Sequence, residues 1–200
     1  GKDSMFNDFS GYDGENNPVK ISIPPTLVIS AMSVIENSTK TQTIDFKFEN
    51  DLVYVIGETT GSLVGSQLMF GQENFGGNED DLPLVQLETA YDRYQRIHVA
   101  HQQNLFSSIQ HIGLGGIAGA VAKSMMAGKL GIKIERKISI SEWFSEDKSR
   151  FVVSIDPKNK DIFEEIFEEN GMRIIASYPY YNPWIIQNRF KDKFHFYDLN

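Results

Sequence analysis

From Asp51 onward the sequence alternates short apolar runs with longer stretches of helical period, and this interleaving restricts the fold more than any other feature. "DLVYVIGETTGSL" is a buried strand running into a glycine-punctuated loop. Residues 71–81 are rich in glycine and acids, and Pro83 sits where a first helical turn tolerates proline. A long helix is expected to follow to about His101, with Leu84, Leu87, Tyr91, Tyr94 and Ile97 on its apolar face. "SSIQHI" reads as a short strand, "GLGGIAGAVAKSMMAGK" as a tight turn into a small-residue helix, and "LGIKIE" as another strand. "RFVVSI", "DPKNKDIFEEIFEEN" and "GMRIIASY" repeat the pattern as strand, helix and strand, with Asp156 as cap and Pro157 in the first turn. The expected architecture is α+β, a mixed sheet layered with helices. The aromatic tail "YPYYNPWIIQNRFKDKFHFYDLN" yields only a final short strand.

Ahead of this region, residues 1–17 carry Gly, Asn, Asp and Ser without a usable period and read as a loop. In "KISIPPTLVISAMSVIE" the double proline blocks a helix, so the apolar run from Leu27 to Ile35 is expected to be a buried strand. With 40% apolar and 12% aromatic residues the chain has enough material for a packed core. Its net charge of −8 disfavours a nucleic-acid partner. The absence of cysteine removes disulfides and thiolate zinc sites. No signal-like or long apolar segment stands out, so no membrane partner and a cytoplasmic location are expected.

Three stretches bear on chemistry. "GLGGIAG" follows a strand and opens a helix, and Glu135 lies 22 residues after Gly113, the arrangement of a dinucleotide fingerprint. The competing reading is glycine for close packing of helix on sheet, since Gln110 and His111 are polar where a central parallel strand is apolar. His98 and His101 share a helix face, but no third metal ligand has suitable spacing. His111, beside the glycine turn, is either functional or a satisfied structural histidine. "FSEDKSRF" combines hydroxyls, carboxylates and an arginine before a strand, as a substrate loop or a capped turn would.

Several of these stretches, in order, resemble one family: the synthetase subunit of phosphoribosylformylglycinamidine synthase, within the aminoimidazole ribonucleotide synthetase superfamily. "GKDSM" resembles the family's G-G-K-D-S-M loop, and "IPPTLVISAMSVIEN" the proline-led strand after it. "LVYVIGETTGSLVGSQ" is similar to its strand with a G-x-T-x-x-E-L-G-G-S loop, and "FSEDKSRFVVSIDPKN" to its F-S-E-x-x-S-R-F-V-V segment. The resemblance spans roughly residues 1 to 175.

It implies a synthetase C-terminal-like fold preceded by a remnant of an A-type domain: residues 1–48 as the end of the second A-type domain, residues 49–200 as a B-type domain. The chain would then be part of a longer two-repeat polypeptide. That enzyme is an ATP- and Mg2+-dependent carbon-nitrogen ligase of purine biosynthesis. It amidates formylglycinamide ribonucleotide with ammonia from a glutaminase domain or subunit. The departures are specific. Where the family has H-D-x-S-D-G-G this chain reads "QHIGLGG", with His111 at the aspartate and Gly113 at the serine, while Gly115 and Gly116 are kept. A histidine is not the hard oxygen ligand that magnesium prefers. The same stretch also resembles H-I-T-G-G-G of the aminoimidazole ribonucleotide synthetase branch, which would make His111 a retained residue. Ser62 and Val64 replace a glutamate and a glycine in the E-L-G-G-S loop.

The expected role is therefore mainly architectural, with no metal ligand and no catalytic residue assigned. Ser145, Glu146, Lys2 and Asp3 are the candidates for a substrate or phosphate loop, and Gly115, Gly116 and His111 for a glycine turn. The competing roles are a dinucleotide-binding oxidoreductase domain and a non-catalytic module that docks through Leu27 to Ile35.

Overall fold

The structure, a computed structural model, describes residues 8–22, 28–35, 37–70, 78–134, 137–168 and 173–180, with Glu79 and 173–180 described as backbone only. The chain divides into two compact units, residues 1–38 and 39–200.

In the first unit, β1 (Phe9–Tyr12) pairs antiparallel with β2 (Pro18–Ile21), in a register that sets Phe9 opposite Ile21 and Tyr12 opposite Pro18. The loop expected over residues 1–17 is thus, within its described part, half a hairpin. Its turn is built by Asp13, whose carboxylate accepts from the amides of Glu15 (2.9 Å) and Asn17 (2.8 Å), while Asn16 takes φ +66°. Those two amides, Asn17's first, hold the Asp13 carboxyl below its ordinary pKa. Strands of four residues with mostly exposed side chains are too short to leave a period in the sequence. The buried strand expected at Leu27 to Ile35 is not present over residues 28–35, which have no regular structure. Val28, Met32 and Val34 are more than four-fifths exposed. No described strand offers this run a hydrogen-bonding partner, and an unpaired apolar run has nothing to be buried against.

The second unit is a five-stranded sheet in the order β4-β6-β3-β7-β5, made of β3 (Leu52–Ile56), β4 (Phe106–His111), β5 (Gly131–Ile134), β6 (Phe151–Ile155) and β7 (Arg173–Tyr180). Every pairing in it is antiparallel, which corrects the mixed sheet expected from the sequence. The connection through α1 (Leu87–Gln102) joins β3 to β4 with β6 between them. The connection through α4 (Lys160–Phe167) joins β6 to β7 with β3 between them. These are two split β-α-β units: strands consecutive around a helix run parallel, but an antiparallel strand separates them.

Along β3 the side chains alternate faces, as the pleat requires. Tyr54 and Ile56 join Ala100 of α1 and Phe163 and Phe167 of α4, while Val53 and Val55 join Ile117, Ala120 and Val121 of α2 (Gly116–Gly128). Both faces are covered, so β3 reads as one continuous apolar run. Trp143 of α3 (Ile140–Phe144) also packs on the second face. Helix α3 is started by a capping box: the Ser139 hydroxyl accepts from the Glu142 amide, and the Glu142 carboxylate accepts from the Ser139 amide.

Helix α1 differs from expectation at two points. It begins at Leu87, not near Pro83, so Leu84 lies in the segment before it, and Leu87, Tyr91 and Tyr94 lie on its exposed side. The buried positions are Ala90, Arg93 and Ala100, with Ile97 packed beside them. Small side chains bring this helix close to the sheet, and a rule that counts large apolar residues selects the wrong face. Residues 39–48 belong to the second unit, in whose core Phe46 is 1% exposed.

Candidate functional site

Three connections meet at one end of the sheet: the loop after β3, the glycine turn between β4 and α2, and the segment 145–150 between α3 and β6. Glu146 ties them together. Its Oε1 accepts from the amide of Gln67 and the amide of Gly115, both at 2.8 Å. Asp147 beside it accepts from the Thr60 amide (3.1 Å) and the Thr60 hydroxyl (2.5 Å). Arg150 is fully buried. It donates to the Ser145 carbonyl at 2.6 Å, the Thr59 hydroxyl at 2.9 Å and the Asp147 carbonyl at 3.3 Å, and pairs with the Asp147 carboxylate at 3.6 Å. Burial lowers the Arg150 pKa, against the opposing pull of Asp147.

Two glycines allow this closeness. Gly57 has φ +104°, and a Cβ there would lie 2.9 Å from Arg150 Cγ. Gly116 has φ +63°, and its Cβ would lie 2.6 Å from the carbonyl oxygens of both Trp143 and Ser145.

Of the residues singled out from the sequence, Ser145, Glu146, Gly115 and Gly116 come together here. Ser145 is fully buried, and its hydroxyl points to the Glu142 carbonyl at 3.4 Å. His111 is exposed and lies edge-on to Phe151, 5.7 Å between ring centres, on the face opposite Ile112. Partial desolvation of the ring, then the charges of Lys148 and Arg150, lowers its pKa and favours the neutral ring. Lys2, Asp3 and Glu135 lie outside the described residues. Asp147, Arg150, Thr60 and Arg93 join them in the structure without being individual candidates from the sequence. Arg150 is part of the S-R-F motif and was legible there, whereas Arg93 has no signal in the sequence.

The chemistry open to this knot follows from its hydrogen bonds. Glu146 and Asp147 accept from backbone amides, and the Gly115 and Gly116 amides are donated to Glu146 and the Gly113 carbonyl. A phosphate would have to displace Glu146 to use the turn. The dinucleotide fingerprint also lacks its context, because β4 and β5, joined through α2, occupy opposite edges of an antiparallel sheet and not neighbouring parallel positions. Among the described residues no group of three His, Cys, Asp or Glu side chains is placed to hold a metal. Among them, likewise, no helix is long and apolar enough to cross a membrane. Beside the knot lies a cleft of about 510 Å³, walled by the loop after β3, the start of α1 and residues 147–149.

Split β-α-β connections and one antiparallel sheet, with helices on both faces, define an α+β domain whose loop ends are cross-tied by buried carboxylates. The chain belongs to the family described as AIR synthase related protein, C-terminal domain, whose model matches residues 49–177. It is 31% identical over 173 residues, 86% of its length, to phosphoribosylformylglycinamidine synthase subunit PurL of a Nitratiruptor species. It spans 22% of that relative's length. Among solved structures it is similar in fold to T. maritima PurL complexed with FGAR, with a TM-score of 0.58 at 15% identity over 72% of this chain and 26% of the other. The T. maritima protein complexed with ATP aligns with a TM-score of 0.51 at 16% identity, over 72% and 24% of the two chains. PurLQS from the same organism aligns with 0.51 at 15% identity, over 70% and 24%.

Proposed function

We propose that this chain supplies the second-repeat terminal region of a phosphoribosylformylglycinamidine synthase, in which its contribution is mainly architectural. The parent reaction is the ATP-dependent amidation of formylglycinamide ribonucleotide with ammonia from a glutaminase partner. Support comes from the family match and from the 31% identity to a PurL subunit. FGAR and ATP complexes of the T. maritima relative, and its PurLQS form, are consistent with those ligands and with an assembly. In this reading residues 1–48 derive from the second A-type domain and 49–200 from the B-type domain. The remaining domains of the polypeptide carry the ATP, Mg2+ and catalytic groups.

The observation that carries the architectural role is the commitment of Glu146 to two backbone amides from two different loops. A buried carboxylate oxygen shared in this way orders the two loops that donate to it. The test has two readouts. The purified 200-residue chain, given FGAR, ATP, Mg2+ and ammonium, forms no phosphoribosylformylglycinamidine, whereas a polypeptide that adds the upstream domains does. Turnover by the chain alone overturns the proposal. In the longer polypeptide, Glu146→Ala leaves the Gln67 and Gly115 amides without their acceptor and costs ~1–3 kcal/mol of stability, while Glu146→Gln, which keeps an acceptor oxygen, costs less. A Glu146→Gln protein of normal stability but negligible kcat would instead make Glu146 catalytic.

A second reading has its own observation, the exposed apolar stretch at residues 28–35. It describes a surface for the rest of an A-type domain. Monodisperse monomer at high concentration, unaltered by Val28→Lys with Val34→Lys, counts against it.

A further inference from the structure

The cleft beside the loop knot contains a buried cation with no countercharge in contact among the described residues. Arg93, on the buried side of α1, is 4% exposed. Its Nη1 donates to the Ser149 carbonyl at 2.8 Å, and its Nε is buried with no hydrogen-bond partner. It makes no ion pair among the described residues; Glu58 and Asp92 act on it only at longer range. Burial accordingly pulls the Arg93 pKa down, the cost of keeping a guanidinium away from water without a countercharge.

Asp147, a buried carboxylate that also lines the cleft, is already engaged by Thr60 and Arg150. Arg93 and Lys148 bring two positive charges to the cleft wall, and Thr89 and Gln86 on α1 add exposed polar groups. Glu58 and Asp81, both exposed, make another part of the wall acidic. Val64, Leu82 and Pro83 supply an apolar side. A wall of this kind, basic in one part and acidic in another, selects against a simple polyanion and for a molecule with an oxyanion at one end and donors at the other.

We propose that this cleft is a binding site for a small molecule with a phosphate or carboxylate head, anchored by Arg93 with Lys148, whose hydroxyl or amine groups face Glu58 and Asp81. The site adjoins the loop knot, sharing Thr60 and Asp147 with it, but does not include Glu146 and does not depend on the function proposed above. Its recognition chemistry is that of a buried guanidinium fork, which matches planar carboxylates and tetrahedral phosphates alike.

The test uses the purified chain at constant ionic strength. Inorganic phosphate and ribose 5-phosphate form one arm, succinate and glutamate the other, with the unfolding midpoint and the ligand's NMR line width as readouts. A saturable rise in midpoint is expected in at least one arm, and the arm identifies the head group. Arg93→Gln is expected to weaken binding about tenfold or more, the loss of one charge-assisted contact. Arg93→Gln changes a buried position, so Thr89→Trp provides an independent variant: Thr89 is exposed and lines the cleft, and a tryptophan there fills the cleft without altering the resting midpoint. No saturable response in either arm, or binding that survives Thr89→Trp unchanged, overturns the proposal.

Discussion

Asp51 immediately precedes strand β3 and carries a carboxylate that is 3% exposed and has one oxygen, Oδ2, without a partner. Burial raises its pKa, with Asp156 adding to the effect, while the hydroxyls of Ser107 and Ser154 and the charge of Lys47 pull it back. A carboxyl whose folded pKa lies above its unfolded value stabilises the fold below the unfolded pKa, and that contribution is lost as pH rises through the folded pKa. Asp51→Asn removes the charge and keeps the shape. It is expected to match or exceed the wild type in urea midpoint at pH 7, and to lose that advantage near pH 4. An Asn variant less stable than the wild type at both pH values would mean that the charged carboxylate is the favoured form. At this scale the sequence was informative where a motif forces a local conformation. Asp156 caps the single 3-10 turn Pro157–Asn159 that leads into α4, not α4 itself, whose N-cap is Asn159, and Ser139 with Glu142 spells a capping box at the start of α3. Arg93 and Asp51 left no trace, because a buried charge looks like a surface one until the fold supplies its surroundings.

The elements separate by what defines them. β3 and β6 were legible because both faces are buried and the runs are apolar throughout. The turn into α2 was legible because Gly115 and Gly116 both take positive φ. The hairpin β1–β2 was not, since its strands bury little, and the run at 28–35 was misread because burial was inferred from composition. Pairing direction was also beyond reach: alternation of strand and helix fixes which strands run parallel, but not which strand lies between them. α1 gives the clearest test of which helix face is buried. Leu87 is 77% exposed and Ala100 is fully buried against Tyr54, Phe106 and their neighbours. Leu87→Lys should change stability by no more than about 0.5 kcal/mol. Ala100→Leu should cost ~1–3 kcal/mol by forcing α1 off the sheet. Paired thermal melts decide it, and the reverse order of costs would restore the face expected from hydrophobicity.

For the whole molecule, the question is where the folding unit begins. The family model starts at residue 49, yet the second compact unit starts at 39. Residues 39–48 explain the difference through specific contacts. Phe46 sits in the core among Val53, Ile117 and Val121, and its amide donates to the Ser124 carbonyl at 3.2 Å. The Thr43 carbonyl accepts from the Ile109 amide at 3.2 Å, and Lys47 Nζ donates to the Ser107 carbonyl at 2.8 Å, so two backbone groups of β4 are satisfied by this segment. β4 is the last strand on its side of the sheet, and such an edge is a template for unwanted pairing unless something covers it. A protein beginning at Thr39 should therefore be more stable than one beginning at Glu49 by ~3–5 kcal/mol, the cost of losing a large buried aromatic side chain. The shorter protein should also associate at concentrations where the longer one stays monomeric. Denaturant titration and sedimentation of the two decide it. Equal midpoints would mean that residues 39–48 are a linker, and that the domain matched by the family folds from residue 49 without them.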